Sequence, residues 1–248
     1  MSTVGIVQSI NTEVIDLWRE EFSDRLEQVH TPLVYTDLET DGLLFIGCNP
    51  ALPKLHHYQA PTLASILNAP PAVAALVEQE RQARRSYPYF RPCHDIAKRL
   101  GMAWTHVDWF FQRGTSQRNL EDAVLESPSN WGKPMELGVF ARKQIALSRR
   151  MMDACRPRLV LVVNAFASKI ARSEFNLGSL DENGLLWGEV GGRRVPVFLS
   201  SMLTGQRALY RGSRERLEWH MLRAKELTQE AGGELTDSRA SVSRQLQR

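Results

Sequence analysis

The apolar run Leu43-Leu44-Phe45-Ile46 gives way at once to Gly47-Cys48-Asn49-Pro50. A carboxamide donates and accepts hydrogen bonds together, so Asn49 has the means to orient a water while holding a second group. The plainer reading of Asn-Pro is a turn that stops a strand. Other apolar runs end in the same manner. "THVDWFF" carries Asp108 and leads into Gln112-Arg113-Gly114-Thr115, "RLVLVV" ends at Asn164, and "RRVPVFL" ends at Ser200-Ser201. Asp108 is either a general base that also stabilises nearby positive charge, or a salt-bridged strand acid. Beyond Ser201 stand Met202 and Leu203, then Arg207, Arg211, Arg214 and Arg216. Arginines at that density suit phosphate contacts at a helix N-terminus, or form a solvated helix face.

The elements that must position these residues follow from hydrophobic spacing. Val14, Ile15, Trp18, Phe22 and Leu26 recur at helical intervals, with Asn11 or Thr12 as the expected N-cap. A helix is expected from Ala72 to about Arg84, and another in "CHDIAKRLGM", ending at Gly101 as a C′ glycine. "QRGTSQRN" reads as a loop, and a long helix lies in "SNWGKPMELGVFARKQIALSRRMMDACRP". "ASKIARSEF" is helical, and "GLLWGEVGGRRVPVFLSS" is a hairpin turning at Gly191-Gly192, whose second arm is the fourth strand. "SRERLEWHMLRAKELTQEA" closes the domain. Strands alternating with helices predict a three-layer α/β/α sandwich around a mostly parallel four-stranded sheet. One domain is expected over residues 1–231, with a polar, disordered tail over 232–248. In such sheets ligands bind beyond the carboxyl ends of the strands, where Asn49, Asp108, Asn164 and Ser201 fall.

Composition narrows the classes. The 248 residues carry a formal net charge of +3, too small to demand a polyanionic partner by itself. The three cysteines, Cys48, Cys93 and Cys155, include no CxxC pair, which argues against a disulfide framework and a structural zinc site. A four-cysteine iron–sulfur site cannot be built from one such chain. No glycine-rich phosphate loop is present. The N-terminus does not read as a signal peptide, and no apolar run reaches the length of a membrane span. A cytoplasmic, monomeric protein without metal or organic cofactor is expected.

The ordered strand ends resemble the uracil-DNA glycosylase superfamily, most closely its mismatch-specific uracil/thymine branch. That branch carries Gly-x-Asn-Pro-Gly, matched by Gly47-Cys48-Asn49-Pro50-Ala51, and Arg-x-Thr-x-x-Gln or a near variant, approximated by Arg113-Gly114-Thr115-Ser116-Gln117. It also carries x-Pro-Ser-x-Leu-Ser, approximated by Leu199-Ser200-Ser201-Met202-Leu203-Thr204. The resemblance covers about residues 40 to 225. It implies a monofunctional DNA glycosylase that flips a pyrimidine out of the duplex and hydrolyses its N-glycosidic bond, in base-excision repair or in defence against modified viral DNA.

By that resemblance Asn49 positions the attacking water, and Gly47, Cys48, Pro50, Ala51, Phe90, Asn164 and Ser201 form the base pocket. Leu203, assisted by Met202, is the wedge that replaces the flipped base, and Arg207, Arg211, Arg214 and Arg113 hold the DNA backbone. Two positions depart from the uracil-specific pattern. Ala51 stands where that branch has a tyrosine, which leaves room for a substituent on C5 of the pyrimidine. Leu199 stands where it has a histidine that stabilises charge on the leaving base. Asn164 either reads a base edge or caps the next helix. Phe90 either stacks on the base or packs in the core. His94 and His106 read as structural. No lysine falls in the motifs, so a Schiff-base lyase step has no support. A non-catalytic DNA-binding module, favoured by Leu199, and a nucleoside hydrolase are the rival readings.

Overall fold

The computed structural model describes residues 3–50, 61–67, 71–114, 117–126, 135–205 and 208–245. Of the expected site residues, Ala51 and Arg207 lie outside these ranges, as do Thr115 and Ser116 of the second motif.

Five strands form one sheet in the order β2-β1-β3-β5-β4. They are β1 (Leu43–Gly47), β2 (Trp104–Asp108), β3 (Leu159–Val163), β4 (Leu186–Val190) and β5 (Arg193–Ser200). All neighbours are parallel except β4 and β5. The fold class is as expected, but the sheet has one strand more. The first arm of the hairpin is itself an edge strand, because Gly191 and Gly192 take φ of 62° and 71° and fold β4 back onto β5 in register.

β1 and β3 are buried on both faces, and alternation assigns the buried strand residues to one of two cores. Leu44, Ile46, Val107, Val160 and Val162 face α1 (Thr3–Glu21), α6 (Val139–Cys155) and α7 (Ala165–Glu174). Leu43, Phe45, Leu159, Leu161 and Val163 face α4 (Arg91–Leu100) and α8 (Arg211–Gln245). Two separate apolar clusters, one per sheet face, make the three layers. The remaining helices are α2 (Leu63–Leu67), α3 (Pro71–Ser86) and α5 (Gln117–Val124). α4 stops where expected: Gly101 takes φ 59° and ψ 43°, and its N–H bonds back to the carbonyls of Ala97 and Lys98.

Three local expectations differ. α1 begins at Thr3, because Val7 and Ile10 extend the apolar stripe upstream. Asn11 is therefore a buried mid-helix residue whose amide clamps Tyr35, donating to its carbonyl at 2.8 Å and accepting from its N–H at 2.9 Å. Part of the expected loop "QRGTSQRN" enters α5, which buries Leu120 and Val124 one turn apart. The chain from 232, expected as a disordered tail, has helical backbone as far as Gln245. No helix among the described residues is long and apolar enough to cross a membrane.

Candidate functional site

The direction of strand addition reverses at β1, which lies between β2 and β3. The crevice beyond the carboxyl ends at this switch point is where an open α/β sheet places its ligand. Gly47 and Asp108 are paired across β1 and β2 at that end, and Val163 is paired with Ser200 across β3 and β5. Asn49, Asp108, Asn164 and Ser201 therefore share one rim of the sheet.

Asp108 is the chemically distinctive member. Trp104, His106 and Asp108 alternate along β2 on the side of α4, as do Leu43, Phe45 and Gly47 along β1. Asp108 lies 5% exposed, and its Oδ1 sits 2.0 Å from where a Cβ on Gly47 would project. The carboxyl thus fills the space that the glycine leaves open. No described residue donates a hydrogen bond to this carboxylate. Burial raises its pKa from 3.8 to about 7, against the opposing pull of the Arg84 and Arg113 guanidiniums. The backbone N–H of Asp108 donates to the Tyr35 hydroxyl at 2.7 Å, and burial pushes that phenol's pKa up. A carboxyl poised near neutrality at a strand end is the pattern of a general base.

His106 lies behind it, with Nδ1 3.7 Å from Asp108 Oδ2. Burial holds the imidazole pKa down at about 3, helped by Arg84, so the ring is neutral and the two residues do not form an ion pair. Both ring nitrogens are buried without a hydrogen-bond partner, and Tyr89 and Phe90 pack edge-on against the ring at 5.8 and 5.2 Å. This residue, read from the sequence as structural, is a neighbour of the candidate base. The signal for it is the period-two spacing of His106 and Asp108 on one strand face.

Asn49 is half-buried, and its Nδ2 donates to the Gly114 carbonyl at 2.9 Å and more weakly to that of Gln112 at 3.4 Å. Gly114 in turn donates its N–H to the Pro50 carbonyl at 3.0 Å. The amide nitrogen thus ties the loop after β1 to the loop after β2, while Oδ1 accepts from no described residue. Cys48 turns to the other sheet face and packs in the α1/α6 core, where burial raises its thiol pKa; it contributes backbone, not a nucleophile.

Several of the expected site residues are engaged within the fold itself. Arg113 does not reach a phosphate: its side chain is 2% exposed, ion-paired with buried Glu80, and its Nε donates to the Thr31 carbonyl at 3.1 Å. It braces the loop that Asn49 holds. Glu80→Ala leaves that guanidinium buried without its carboxylate, so a loss of about 3–5 kcal/mol in urea unfolding is expected, largely recovered in Glu80→Leu/Arg113→Met. Asn164 caps α7, its Oδ1 accepting from the N–H groups of Phe166 and Ala167 at 2.7 and 3.2 Å, with φ at 128°. That oxygen does not read a base edge. Phe90 packs against Trp104 and His106 and lines a cavity to which Asn49 and Asp108 do not contribute.

Leu203 is half-buried against the α4/α8 core, so it does not stand out as a wedge. Met202 is half-buried and bridges to Ala208, while Ser201 is exposed on the rim. Arg214 bonds Glu218 at 2.9 Å and lies 3.6 Å from Asp95, joining α8 to α4. Arg211 is exposed and pairs with Glu215 within its own helix. Among the described residues no group of three or more His, Cys, Asp or Glu side chains is placed to hold a metal ion. Comparison with known proteins finds no matching family and no matching curated relative.

Proposed function

We propose that this chain is a DNA glycosylase that hydrolyses the N-glycosidic bond of a pyrimidine flipped out of DNA. The observation that supports this most is the Asp108 carboxyl, raised to about 7 and set over Gly47 at the switch point, on the same rim as Asn49. Water held by Asn49 Oδ1 gives a proton to ionised Asp108 as its oxygen bonds to C1′ of the sugar. The C1′–N bond breaks with its electron pair going to the base, which takes up a proton from bulk water, and Asp108 returns its proton to solvent. The same carboxylate stabilises the oxocarbenium character at the sugar. Leu199 is half-buried among apolar side chains and gives the departing base no hydrogen bond, so a base that leaves readily is the better substrate.

A second reading, hydrolysis of free nucleosides, is favoured by the internal ion pairs of Arg113 and Arg214 and by the packing of Leu203. Incubating the protein with duplexes containing uracil, mismatched thymine or C5-modified cytosine, and with the nucleosides, separates the two. Alkali-labile abasic sites in DNA support the glycosylase. Base release from nucleosides alone moves the assignment to the second reading, and DNA affinity without product leaves a binding module. Asn49→Ala is expected to lower turnover by about 10²-fold or more while DNA affinity holds, since it removes a water-orienting acceptor.

A further inference from the structure

A cavity of about 600 Å³ opens along the outer edge of β2. Asn49, Asp108 and Asn164 do not line it, although His106, the neighbour of Asp108, does. Arg81, Arg84, Arg85 and Arg91 face it, against two acids, Asp37 and Glu39.

The arginines are not equivalent. Arg81 is already neutralised, 3.4 Å from Asp37 and ion-paired with Glu78. Arg84 has no carboxylate within ion-pair distance among the described residues, although its charge acts on Asp108. Its guanidinium lies 4.8 Å from the Tyr35 ring centroid and 5.9 Å from that of Phe90, and touches the His106 carbonyl at only 3.5 Å. Two aromatic rings flank this half-buried cation, and its one hydrogen bond among the described residues is that long contact. Arg85 and Arg91, both exposed, form no ion pair with a described carboxylate either. Three arginines outside any close ion pair with a described carboxylate, around one concavity, make a site for a phosphate, which takes several N–H donors at once.

The cavity holds more than an inorganic anion. Its volume falls in the range of small-molecule sites. Tyr87, Phe90 and Trp104 supply aromatic walls, all half-buried and so presenting some ring surface. A planar ring carrying phosphate satisfies both halves of this lining. The geometry points to a nucleotide-binding site on the edge of β2, with phosphate on Arg84, Arg85 and Arg91 and the base against Tyr87 and Trp104. The nucleotide is either a free nucleoside phosphate or one unit of a nucleic-acid strand. This site does not depend on the hydrolytic assignment.

Titration calorimetry with ATP, adenosine, inorganic pyrophosphate and pentathymidylate tests it. ATP should bind, with adenosine and pyrophosphate each weaker by about tenfold or more, because each satisfies only half of the lining. Arg85→Ala/Arg91→Ala should weaken ATP by about tenfold or more, and Arg84→Met by a similar factor. Both residues of the double variant are exposed, so its unchanged thermal midpoint guards against misfolding. Pentathymidylate binding more tightly than ATP, with the same dependence on the arginines, assigns the site to a strand; the reverse order assigns it to a free nucleotide. The proposal is overturned if neither ATP nor pentathymidylate binds below about 1 mM. It is equally overturned if the arginine variants keep full affinity, or if pyrophosphate matches ATP. None of those failures bears on base release at Asp108.

Discussion

Asp108→Asn is expected to separate activity from stability, lowering kcat/KM by about 10²–10⁴-fold, the usual contribution of a general base, while making the fold more resistant to urea at alkaline pH. The activity arm follows from protonation. Only ionised Asp108 accepts a proton, and it ionises at about 7 in the folded chain. The wild-type kcat/KM should therefore climb with pH through about 7 and level off above it, and the residual activity of Asp108→Asn should lack that limb. The groups facing the carboxyl do not supply a competing titration near neutrality: His106 is held at about 3, while the Tyr89 hydroxyl and Cys93 thiol are pushed up by burial.

The stability arm has the opposite sign. The same carboxyl ionises near 3.8 when exposed to water. Below that pH both folded and unfolded chains hold the proton. As pH rises from about 4 to about 7 the unfolded chain releases it and the folded chain does not, so stability falls; above about 7 the loss is complete. Asparagine has no proton to lose and can donate its amide to the unpartnered Nδ1 of His106. The variant should gain on wild type by on the order of a few kcal/mol at pH 8 and by little at pH 4. An ordinary packing residue would lose stability at both. A variant that is less stable at pH 8 and keeps the wild-type pH profile would sink the assignment of Asp108 as base.

The contrast between Asp108 and Arg113 shows what the sequence made legible. Strand ends were readable because β1, β3 and β5 are apolar runs that stop at polar residues, and a parallel sheet gathers such ends on one rim. The rim was therefore predictable, and so was the stop at Gly101, whose positive φ favours glycine. Side-chain direction was not. Arg113 and Glu80 are 33 residues apart, and nothing local to either says that they meet in the interior. Leu203 tucks against α8 because the chain turns after β5, with Leu209 donating its N–H to the Met202 carbonyl at 2.8 Å. A motif fixes residue types along a strand end, whereas wedge, phosphate arm and brace differ only in which way the side chain points. The extra strand was missed for a similar reason: a hairpin arm joins a sheet through its partner's register, which spacing does not encode.

Gly47 joins both kinds of information, and Gly47→Ala carries the second large expected effect. Its backbone φ does not require glycine; the space does. A methyl there would lie 2.0 Å from Asp108 Oδ1 and 3.0 Å from Cε1 and Nε2 of His106. β1 is hydrogen-bonded on both sides, to β2 and to β3, so its backbone cannot retreat. The carboxyl must swing out of its place over the strand end, or His106 must move into Tyr89 and Phe90. Overpacking of this kind costs about 1–3 kcal/mol, and displacement of the base should lower kcat/KM by about 10²-fold or more. The diagnostic is the pair with Asp108→Ala. Removing the carboxyl relieves the clash, so the double variant should unfold at a higher urea concentration than Gly47→Ala alone, even though both have lost most of their activity. Additive losses in the double variant, or a Gly47→Ala protein with wild-type kinetics, would show that the carboxyl does not occupy the space over Gly47, and the proposed path of the proton would go with it.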